Sequence, residues 1–382
     1  MRLLFMVILI SILVSVLVMT SLLLFMRTPK DNLERQYHNA HSAFLKTLHQ
    51  WDETPHAGEK EEEGNPGTIL VLAPEGVVVP KRSLVVYAYA HATWRLANFE
   101  HFLVHGLISH SSDGAEVDYT FVINGFESNI VDVFDRLGVA HTFVLLTNHT
   151  DSHNLPPVVH IGSRPRVLVI QRDNTGFDMC ASKLVLDQGL AARSGTYTHV
   201  VLMNGSVRGP FMPSYVPFTW LDAFQNFLIN GVSLVGTTIN CMSWLTDEKK
   251  GFTSLHMQSM VLALDAAGVR AVYPQLRCYK LMNDAISHGE IGSTQAVLAA
   301  GLGVVALQHN WHGYPIFAKD LQSPELARRC AAVSQGTGGD PGYPGAYFGG
   351  EPQPDEVIFV KTNRNINNNE IERYSMLFKE FI

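Results

Sequence analysis

Two polar segments, separated by one helical stretch, contain residues suited to bind a phosphorylated ligand. Asn174 and Gly176 follow one apolar run and open a helix, and Asn204, Gly205 and Ser206 follow the next apolar run. Free N–H groups at a helix start bind phosphate, and ligands of open α/β sheets bind at the carboxyl ends of strands. We therefore expect a binding edge here. The alternative is structural, with Asn174 capping its helix and Asn204 and Gly205 forming a plain turn.

The elements that position these segments are apolar strands that alternate with helical stretches from about residue 82 onward. We predict strands over residues 84–90, 117–124, 142–147, 166–172, 198–203, 233–238 and 304–307. We predict helices over residues 94–108, 130–137, 177–192, 220–229, 255–267 and 294–302. This order is typical of an α/β fold with a mostly parallel sheet and helices on both faces. From about residue 334 a Gly- and Pro-rich run predicts a flexible loop, followed by a strand at 357–360 and a helix at 370–381.

The N-terminal segment predicts a membrane anchor. Residues 3–26 carry no charge and are mostly Leu, Ile, Val, Met and Phe. As a helix they reach roughly 36 Å, which exceeds the hydrocarbon core of about 30 Å. A cleaved signal peptide is the alternative, but its apolar region is shorter and ends at small residues. We therefore expect a short cytosolic end at residues 1–2, a transmembrane signal anchor at 3–26, and a stem at 27–80 that contains a charged and a turn-forming run.

Charge and composition limit the function further. The formal net charge of -7 and the absence of a basic run argue against a nucleic-acid-binding protein. Arg2 and Arg27 flank the anchor on both sides, so the positive-inside rule does not decide its orientation. N-glycosylation triplets at Asn148 and Asn204 are compatible with a lumenal domain. We expect a single-pass type II protein of the Golgi or ER membrane. The four cysteines lack metal-ligand spacing, and disulfides and free thiols both stay open.

Linked motifs give these features a family resemblance. The segments NTGFDMCAS (174–182), THVVLMNGSVRGP (198–210), HMQSM (256–260) and EIGSTQ (290–295) follow one another in order. Over about residues 82–315 the chain resembles the rhamnan-synthesis-F-type glycosyltransferase family. The resemblance implies a GT-A-like α/β domain, residues 81–333, which transfers a sugar from a nucleotide sugar to a glycan or glycoconjugate acceptor. Asn174, Gly176, Asn204, Gly205 and Ser206 are then donor-binding candidates, and residues 334–382 form the C-terminal loop, strand and helix.

One departure from the family pattern concerns the metal. The resemblance implies an acidic residue at the end of the second strand, where Mn²⁺ or Mg²⁺ bridges the donor pyrophosphate, but this chain has Gly205 between Asn204 and Ser206. Such ions normally take at least one carboxylate ligand, which Asp173 or Asp178 would have to supply. The departure favours the alternative of a catalytically inactive relative that binds glycans or acts as a scaffold. A membrane-anchored hydrolase is a third hypothesis, and the sequence shows no nucleophile or carboxylate pair for it.

Transfer with inversion needs a base that removes the proton of the acceptor hydroxyl group. Glu290, at the start of a predicted helix in the second half of the domain, is the first candidate, and Asp178 is the second. An acidic residue in a first helical turn is also favoured by the helix dipole, which is the structural alternative for both. Four further residues are candidates for contacts to donor or acceptor because they join polar or aromatic groups near predicted element ends: His256, Gln258, Trp311 and His312.

Overall fold

The computed structural model describes residues 82–126, 130–146, 166–187, 197–242, 254–333, 335–366 and 368–380. All of these residues belong to one compact unit, Pro66–Ile382. The anchor at 3–26, the stem at 27–80 and the glycosylation triplet at Asn148 lie outside the described residues, so they stay predictions. Within the described ranges, no helix combines the length and apolar character needed to cross a membrane.

A mixed sheet forms the centre of the unit. The strands of the described residues are, in chain order, β1 (Arg82–Ala90), β2 (Glu116–Asn124), β3 (Thr142–Leu145), β4 (Arg166–Arg172), β5 (His199–Asn204), β6 (Val207–Arg208), β7 (Val232–Gly236), β8 (Ile239–Asn240), β9 (His256–Met257), β10 (Val261–Asp265), β11 (Gly303–Ala306) and β12 (Val360–Lys361). Eight of them form one sheet in the order β11-β7-β10-β5-β1-β2-β4-β3. Neighbours in this sheet pair in parallel, except that β10 runs antiparallel to β5 and β7. The predicted mostly parallel sheet is confirmed.

Helices cover both faces of this sheet. They are α1 (Thr93–His105), α2 (Ile130–Arg136), α3 (Phe177–Asp187), α4 (Trp220–Gln225), α5 (Ala266–Val272), α6 (Met282–Asp284), α7 (Gly292–Ala299), α8 (Pro324–Cys330), α9 (Pro354–Val357) and α10 (Asn368–Glu380), and a π-helical segment, Ala285–Ile291, joins α6 to α7. Alternate residues of β1 point to opposite faces. Leu84 and Val86 pack in one core with α3, α5 and α7, here called the α3 face. Val85 and Tyr87 pack in a second core with α1, α2 and α4, here called the α1 face. The predicted two-sided cover is confirmed.

One predicted helix is wrong. Residues 255–267 contain β9 and β10 instead, and helix α5 begins only at Ala266, where the side chain of Asp265 accepts a hydrogen bond from the N–H of Gly268. The error has a physical cause, because β10 lies between β5 and β7 and residues 261–264 are buried. A strand buried on both faces lacks apolar and polar alternation, so its sequence cannot be told from a buried helix.

The C-terminal part also differs from its prediction. The predicted strand at 357–360 is mostly wrong, since Pro354–Val357 forms helix α9 and only Val360 belongs to a strand. Proline at a first helical position costs no hydrogen bond, which favours that helix. The predicted Gly- and Pro-rich loop is present, and hydrogen bonds join it to the rest of the unit. The carbonyl of Gly339 accepts from the N–H of Cys241 at 3.0 Å, and the buried side chain of Asp340 accepts from Gln258.

The structure decides the state of the cysteines, which the sequence left open. Cys180 forms a disulfide with Cys278, and Cys241 forms a disulfide with Cys330, so no cysteine is free. The first bond ties the start of α3 to the segment that precedes the π-helical turn. Asp178 lies at that start of α3, and Glu290 lies in the π-helical turn.

Candidate functional site

Strand ends bring the two predicted polar segments together. In the register of the parallel strands, Ala90 lies opposite Asn124, Asn124 opposite Arg172, and Ala88 opposite Asn204. The carboxyl ends of β1, β2, β4 and β5 therefore meet at one edge of the sheet. The segments that follow β4 and β5, residues 174–178 and 204–206, both leave the sheet at this edge. The arrangement is the one expected of a ligand-binding edge in an open α/β sheet.

Asn204 links the two segments directly. Its Nδ2 donates to Oδ2 of Asp178 at 2.6 Å. Its Oδ1 accepts from the backbone N–H of Ser206 at 3.0 Å and from the Ser206 hydroxyl group at 2.5 Å. Oδ1 of Asp178 in turn accepts from the N–H of Met179 at 3.1 Å. The amide of Asn204 therefore fixes the Asp178 side chain, at the start of α3, to the end of β5.

Glu290 reaches the same place from the second half of the chain. It lies in the seven-residue π-helical segment, an unusual geometry that is frequent at functional sites. Its Oε1 accepts from the N–H of Ser259 at 2.8 Å. The next residue, Met260, accepts from the N–H of Asn204 through its carbonyl at 3.2 Å. Asp178, Asn204, Ser206, Ser259 and Glu290 are called the strand-end cluster below.

Asp178 has a raised proton affinity in this cluster. Burial raises the pKa of Asp178 above its ordinary value, the hydrogen bond from Asn204 opposes that shift, and the charge of Glu290 adds to it. Asp178 and Glu290 are both half-buried residues. A carboxyl group with raised proton affinity next to a second carboxylate is a common arrangement in general acid–base sites. The two predicted catalytic candidates thus meet in one site, although their catalytic roles stay predictions.

Gly205 lies at the same edge but belongs to the opposite face of the sheet. A Cβ atom on Gly205 would lie 3.4 Å from Cδ2 of Tyr89, 3.7 Å from the hydroxyl oxygen of Tyr87 and 3.8 Å from Cδ of Arg95. Both tyrosines belong to the core of the α1 face. An acidic side chain at 205 would therefore begin on the α1 face, whereas Asp178 belongs to the α3 face. Asp178 does not take the place of the missing carboxylate.

The residues of this edge do not fit a Mn²⁺ or Mg²⁺ ion of the expected kind. No group of three or more His, Cys, Asp or Glu side chains suited to a metal occurs in the described part of the chain. Both oxygens of Asp178 and the side-chain oxygen of Asn204 already accept hydrogen bonds from protein donors. Divalent ions of this type need several free oxygen ligands, including carboxylates.

The first polar segment has a strong packing role. Gly176 has a φ of +69°, and a Cβ there would lie 2.7 Å from Cβ of Cys180 and 2.8 Å from Cα of Cys278. The disulfide between these cysteines therefore requires glycine, whatever Gly176 does for a ligand. Asn174 is exposed beside Gly125, with 4.0 Å between its Cβ and the position of a Cβ on that glycine. Donor binding by Asn174 and Gly176 stays a prediction.

His256 and Gln258 lie inside the protein. Both are 3% exposed, because their segment forms a strand and a turn and not the predicted helix. Nδ1 of His256 is 2.8 Å from the carbonyl oxygen of Ser254. Oε1 of Gln258 accepts from the hydroxyl group of Thr238 at 2.7 Å, and its Nε2 donates to Asp340 at 3.0 Å. In this arrangement both side chains serve internal hydrogen bonds, so ligand contact would require these bonds to change.

Trp311 and His312 follow β11 and have different environments. Trp311 is fully buried in the core of the α3 face, so it does not present a stacking surface. His312 is exposed, and its ring lies edge-on to Phe227 with 5.2 Å between the centroids. Of the four predicted contact residues, His312 alone offers a side chain to an approaching ligand.

Sequence reasoning missed Ser259 and Arg95. Ser259 stands inside the HMQSM motif, but its role appears only through the contact with Glu290. Arg95 is half-buried near the start of α1, donates from Nη1 to the carbonyl of Ala90 at 2.9 Å, and packs over the ring of Trp94 at 4.7 Å. An arginine one turn beyond the end of a predicted strand was the available signal.

Comparisons with known proteins give distant structural neighbours. No family model and no curated protein matches the chain, so the resemblance to the rhamnan-synthesis-F-type family gains no support and stays a prediction. The fold is similar to the mannosyltransferase PcManGT from Pyrobaculum calidifontis in complex with GDP-Man and Mn²⁺, with 11% identity, a TM-score of 0.34, and coverage of 72% of this chain and 64% of that chain. It is also similar to the apo form of mouse xyloside xylosyltransferase 1, with 10% identity, a TM-score of 0.32, and coverage of 62% and 91%. Both neighbours are glycosyltransferases, and similarity at this level identifies neither activity nor ligands.

Proposed function

We propose that the protein is a glycosyltransferase that moves a sugar from a nucleotide sugar to a hydroxyl group of a glycan or glycoconjugate, with a GT-A-like domain. One observation carries the proposal: Asp178 and Glu290, from separate parts of the chain, converge on Asn204 and Ser259 at the carboxyl edge of a mostly parallel sheet. We further propose that residues 3–26 anchor the chain in the Golgi or ER membrane, with this domain in the lumen.

Transfer requires the bond between the sugar C1 and the diphosphate oxygen to break, with its electron pair leaving on the diphosphate. The acceptor oxygen forms a new bond to C1 and loses its proton to a base. Glu290 is the proposed base, because Ser259 holds its Oε1 while its Oε2 has no hydrogen-bond partner among the described residues. Asp178 uses both of its oxygens inside the protein, so it is the proposed positioning residue for Asn204. A base placed in this way contributes about 10²–10⁴-fold to the rate.

Two other functions have one observation each in their favour. Gly205 stands where the resembling family has an acidic residue, which favours an inactive protein that binds glycans or acts as a scaffold. The meeting of Asp178 and Glu290 also provides a carboxylate pair that the sequence did not reveal, and glycoside hydrolysis uses such a pair. Water as the acceptor would then replace the glycan hydroxyl group.

Thermal stabilisation of the full chain in detergent tests the proposal. The chain is melted with a panel of nucleotide sugars, with Mn²⁺ or with EDTA, because a ligand of the folded state raises the melting temperature. We expect one donor class to raise it, followed by release of nucleoside diphosphate that depends on an added glycan acceptor. Release that is equally fast with water alone would indicate a hydrolase. A folded chain that no nucleotide sugar stabilises would contradict the transferase proposal and favour the glycan-binding alternative.

A further inference from the structure

The disulfide between Cys180 and Cys278, here called the first disulfide, differs in exposure from the second disulfide. Cys278 is an exposed residue, whereas Cys180 is 2% exposed. Both cysteines of the second disulfide are buried, since Cys241 is 0% and Cys330 is 5% exposed. The rate at which a thiolate attacks a disulfide depends on access to its sulfur atoms. Of the four cysteines, Cys278 is therefore the one that a dissolved thiol reaches most easily.

A buried arginine contacts the other sulfur atom of the first disulfide. Nη1 of Arg172 donates to Sγ of Cys180 at 3.3 Å, and Nη2 donates to the carbonyl of Thr175 at 2.9 Å. Arg172 is 5% exposed, and burial lowers the pKa of its guanidinium to about 10, so the group keeps its charge at neutral pH. Cys180 also lies near the start of α3. An adjacent guanidinium and a helix start both favour the thiolate form of a cysteine.

These contacts favour one direction of thiol–disulfide exchange. The sulfur atom of an incoming thiolate forms a bond to Sγ of Cys278, and the bond between the two cysteines breaks. Its electron pair leaves on Sγ of Cys180, where the charge of Arg172 stabilises the thiolate. The incoming thiol loses its proton to solvent and is oxidised to one half of a mixed disulfide, while Cys180 is reduced. A thiol of lower pKa leaves faster, so the guanidinium accelerates this direction.

The first disulfide also bears on the position of Glu290. The ring of Tyr279, the residue after Cys278, packs on Gly289, because a Cβ on that glycine would lie 3.2 Å from Cε2 of the tyrosine. The same point is 3.1 Å from Cγ of Met179 on α3. Gly289 therefore packs between the two segments that the disulfide joins, and Glu290 follows it directly in the chain.

We propose that Cys278 is a modification site for a small thiol such as glutathione, which forms a mixed disulfide there while Cys180 leaves as a thiolate beside Arg172. Opening of the bond then releases the turn that positions Glu290. The modification does not depend on the proposed transferase function. It makes the geometry of the strand-end cluster respond to the thiol concentration around the domain.

Site-specific labelling tests the modification. The full chain in detergent is incubated with reduced glutathione, quenched with acid, alkylated with N-ethylmaleimide, and analysed by mass spectrometry of its peptides. We expect glutathione on Cys278 and the alkyl group on Cys180, at a rate at least about 10-fold higher than at the second disulfide, because that disulfide is buried and serves as the internal control. Equal rates for the two disulfides, or glutathione on Cys180, would overturn the proposal.

The role of the guanidinium is tested with Arg172→Gln. This variant should slow the exchange about threefold or more, the change expected when the pKa of the leaving thiol rises by about one unit, and Arg172→Lys should slow it less. Arg136→Gln is the matched control, because that side chain is exposed and pairs with Glu100, and it should react at the wild-type rate. A wild-type rate in Arg172→Gln would overturn the assigned role of Arg172. If that variant does not fold, the comparison of the two disulfides in the wild type decides the proposal alone.

Hydrogen exchange tests the link to Glu290. The N–H of Ser259 donates to Oε1 of Glu290, so the protection of this amide reports the position of the carboxylate. Opening of the first disulfide should raise exchange at Ser259 and across residues 285–291, while the amides of β1 keep their protection. Unchanged exchange at Ser259 would overturn the link. The measurement uses no nucleotide sugar, so its result is independent of the test of the transferase function.

Discussion

The substitution Glu290→Gln separates the proposed role of Glu290 in proton transfer from its role in holding Ser259. The carboxylate of Glu290 has two functions in the proposed site: Oε1 accepts from the N–H of Ser259 at 2.8 Å, and Oε2 removes the acceptor proton. The amide oxygen of the variant can still accept from Ser259, but the amide cannot act as a base. We expect kcat to fall by about 10²–10⁴-fold, the usual contribution of a general base. The Kd of the donor should change by less than about threefold, because a group that acts on the acceptor proton adds little to donor binding.

A second variant measures the contribution of Glu290 to the stability of the fold. Glu290→Ala leaves the N–H of Ser259 without its acceptor, at a cost of about 1 kcal/mol, the low end of the range, because both residues are partly exposed. In a domain of this size that corresponds to a fall in melting temperature of about 2 °C. Glu290→Gln should melt within about 1 °C of the wild type, since it keeps the hydrogen bond.

The assay compares release of nucleoside diphosphate, with acceptor present, against calorimetric melting for both variants. Loss of turnover in Glu290→Gln without loss of melting temperature supports a base. A variant Glu290→Gln that retains more than about a tenth of the wild-type kcat would refute the assigned role, because proton transfer rarely contributes so little. Equal losses of turnover and stability in Glu290→Gln and Glu290→Ala would show that Glu290 serves only to hold Ser259.

Three further substitutions test the surroundings of the cluster. The pKa of Asp178 is raised in the folded state, so the protonated carboxyl group stabilises the fold fully below about pH 4, and this stabilisation is lost as pH rises through the folded pKa. Asparagine stays neutral at every pH. The melting temperature of Asp178→Asn relative to the wild type should therefore increase between pH 4 and pH 7. In Gly289→Ala the new Cβ lies 3.1 Å from Cγ of Met179, and this close contact pushes the π-helical segment away from α3. Because Glu290 lies in that segment, kcat should fall about 10-fold while the donor Kd stays unchanged. Cys278→Ser opens a disulfide that spans 98 residues, and the expected loss of about 2–4 kcal/mol should lower the melting temperature by about 4–8 °C in calorimetry without reductant.

Local sequence signals predicted much of the sheet and one half of the site. The run that forms β4 was assigned its bounds, Arg166–Arg172, because a β-branched apolar stretch ends in polar residues there. The same reasoning placed the start of α3 and the end of β5 at one edge, which brings Asp178 near Asn204. Signals of this kind are local, since they depend on the composition of a run and on the residues that end it.

The other half of the site depends on contacts between distant segments. Glu290 reaches Ser259 through a π-helical turn, and the periodicity of a sequence does not distinguish such a turn from an α-helix. The mistaken helix at 255–267 had also placed His256 at a helix start, when β10 in fact puts the neighbouring segment inside the sheet. Four cysteines allow three pairings, so the bond that joins Cys180 to Cys278 could not be deduced either.

The face of the sheet on which residue 205 lies changes the interpretation of Gly205. From sequence alone, the absent carboxylate at this position puts metal binding in question and favours the alternative of an inactive relative. Successive residues of a strand point to opposite faces, so Asn204 meets Asp178 on the α3 face while residue 205 faces Arg95 on the α1 face. Glycosyl transfer leaves negative charge on the departing diphosphate and moves the acceptor proton to a base. The leaving group and the acceptor therefore need protein groups of different charge. The carboxylates of Asp178 and Glu290 lie on the α3 face, so a residue at 205 does not enter the strand-end cluster. The absence of a carboxylate at 205 therefore leaves the strand-end cluster, and with it the proposed base Glu290, unchanged.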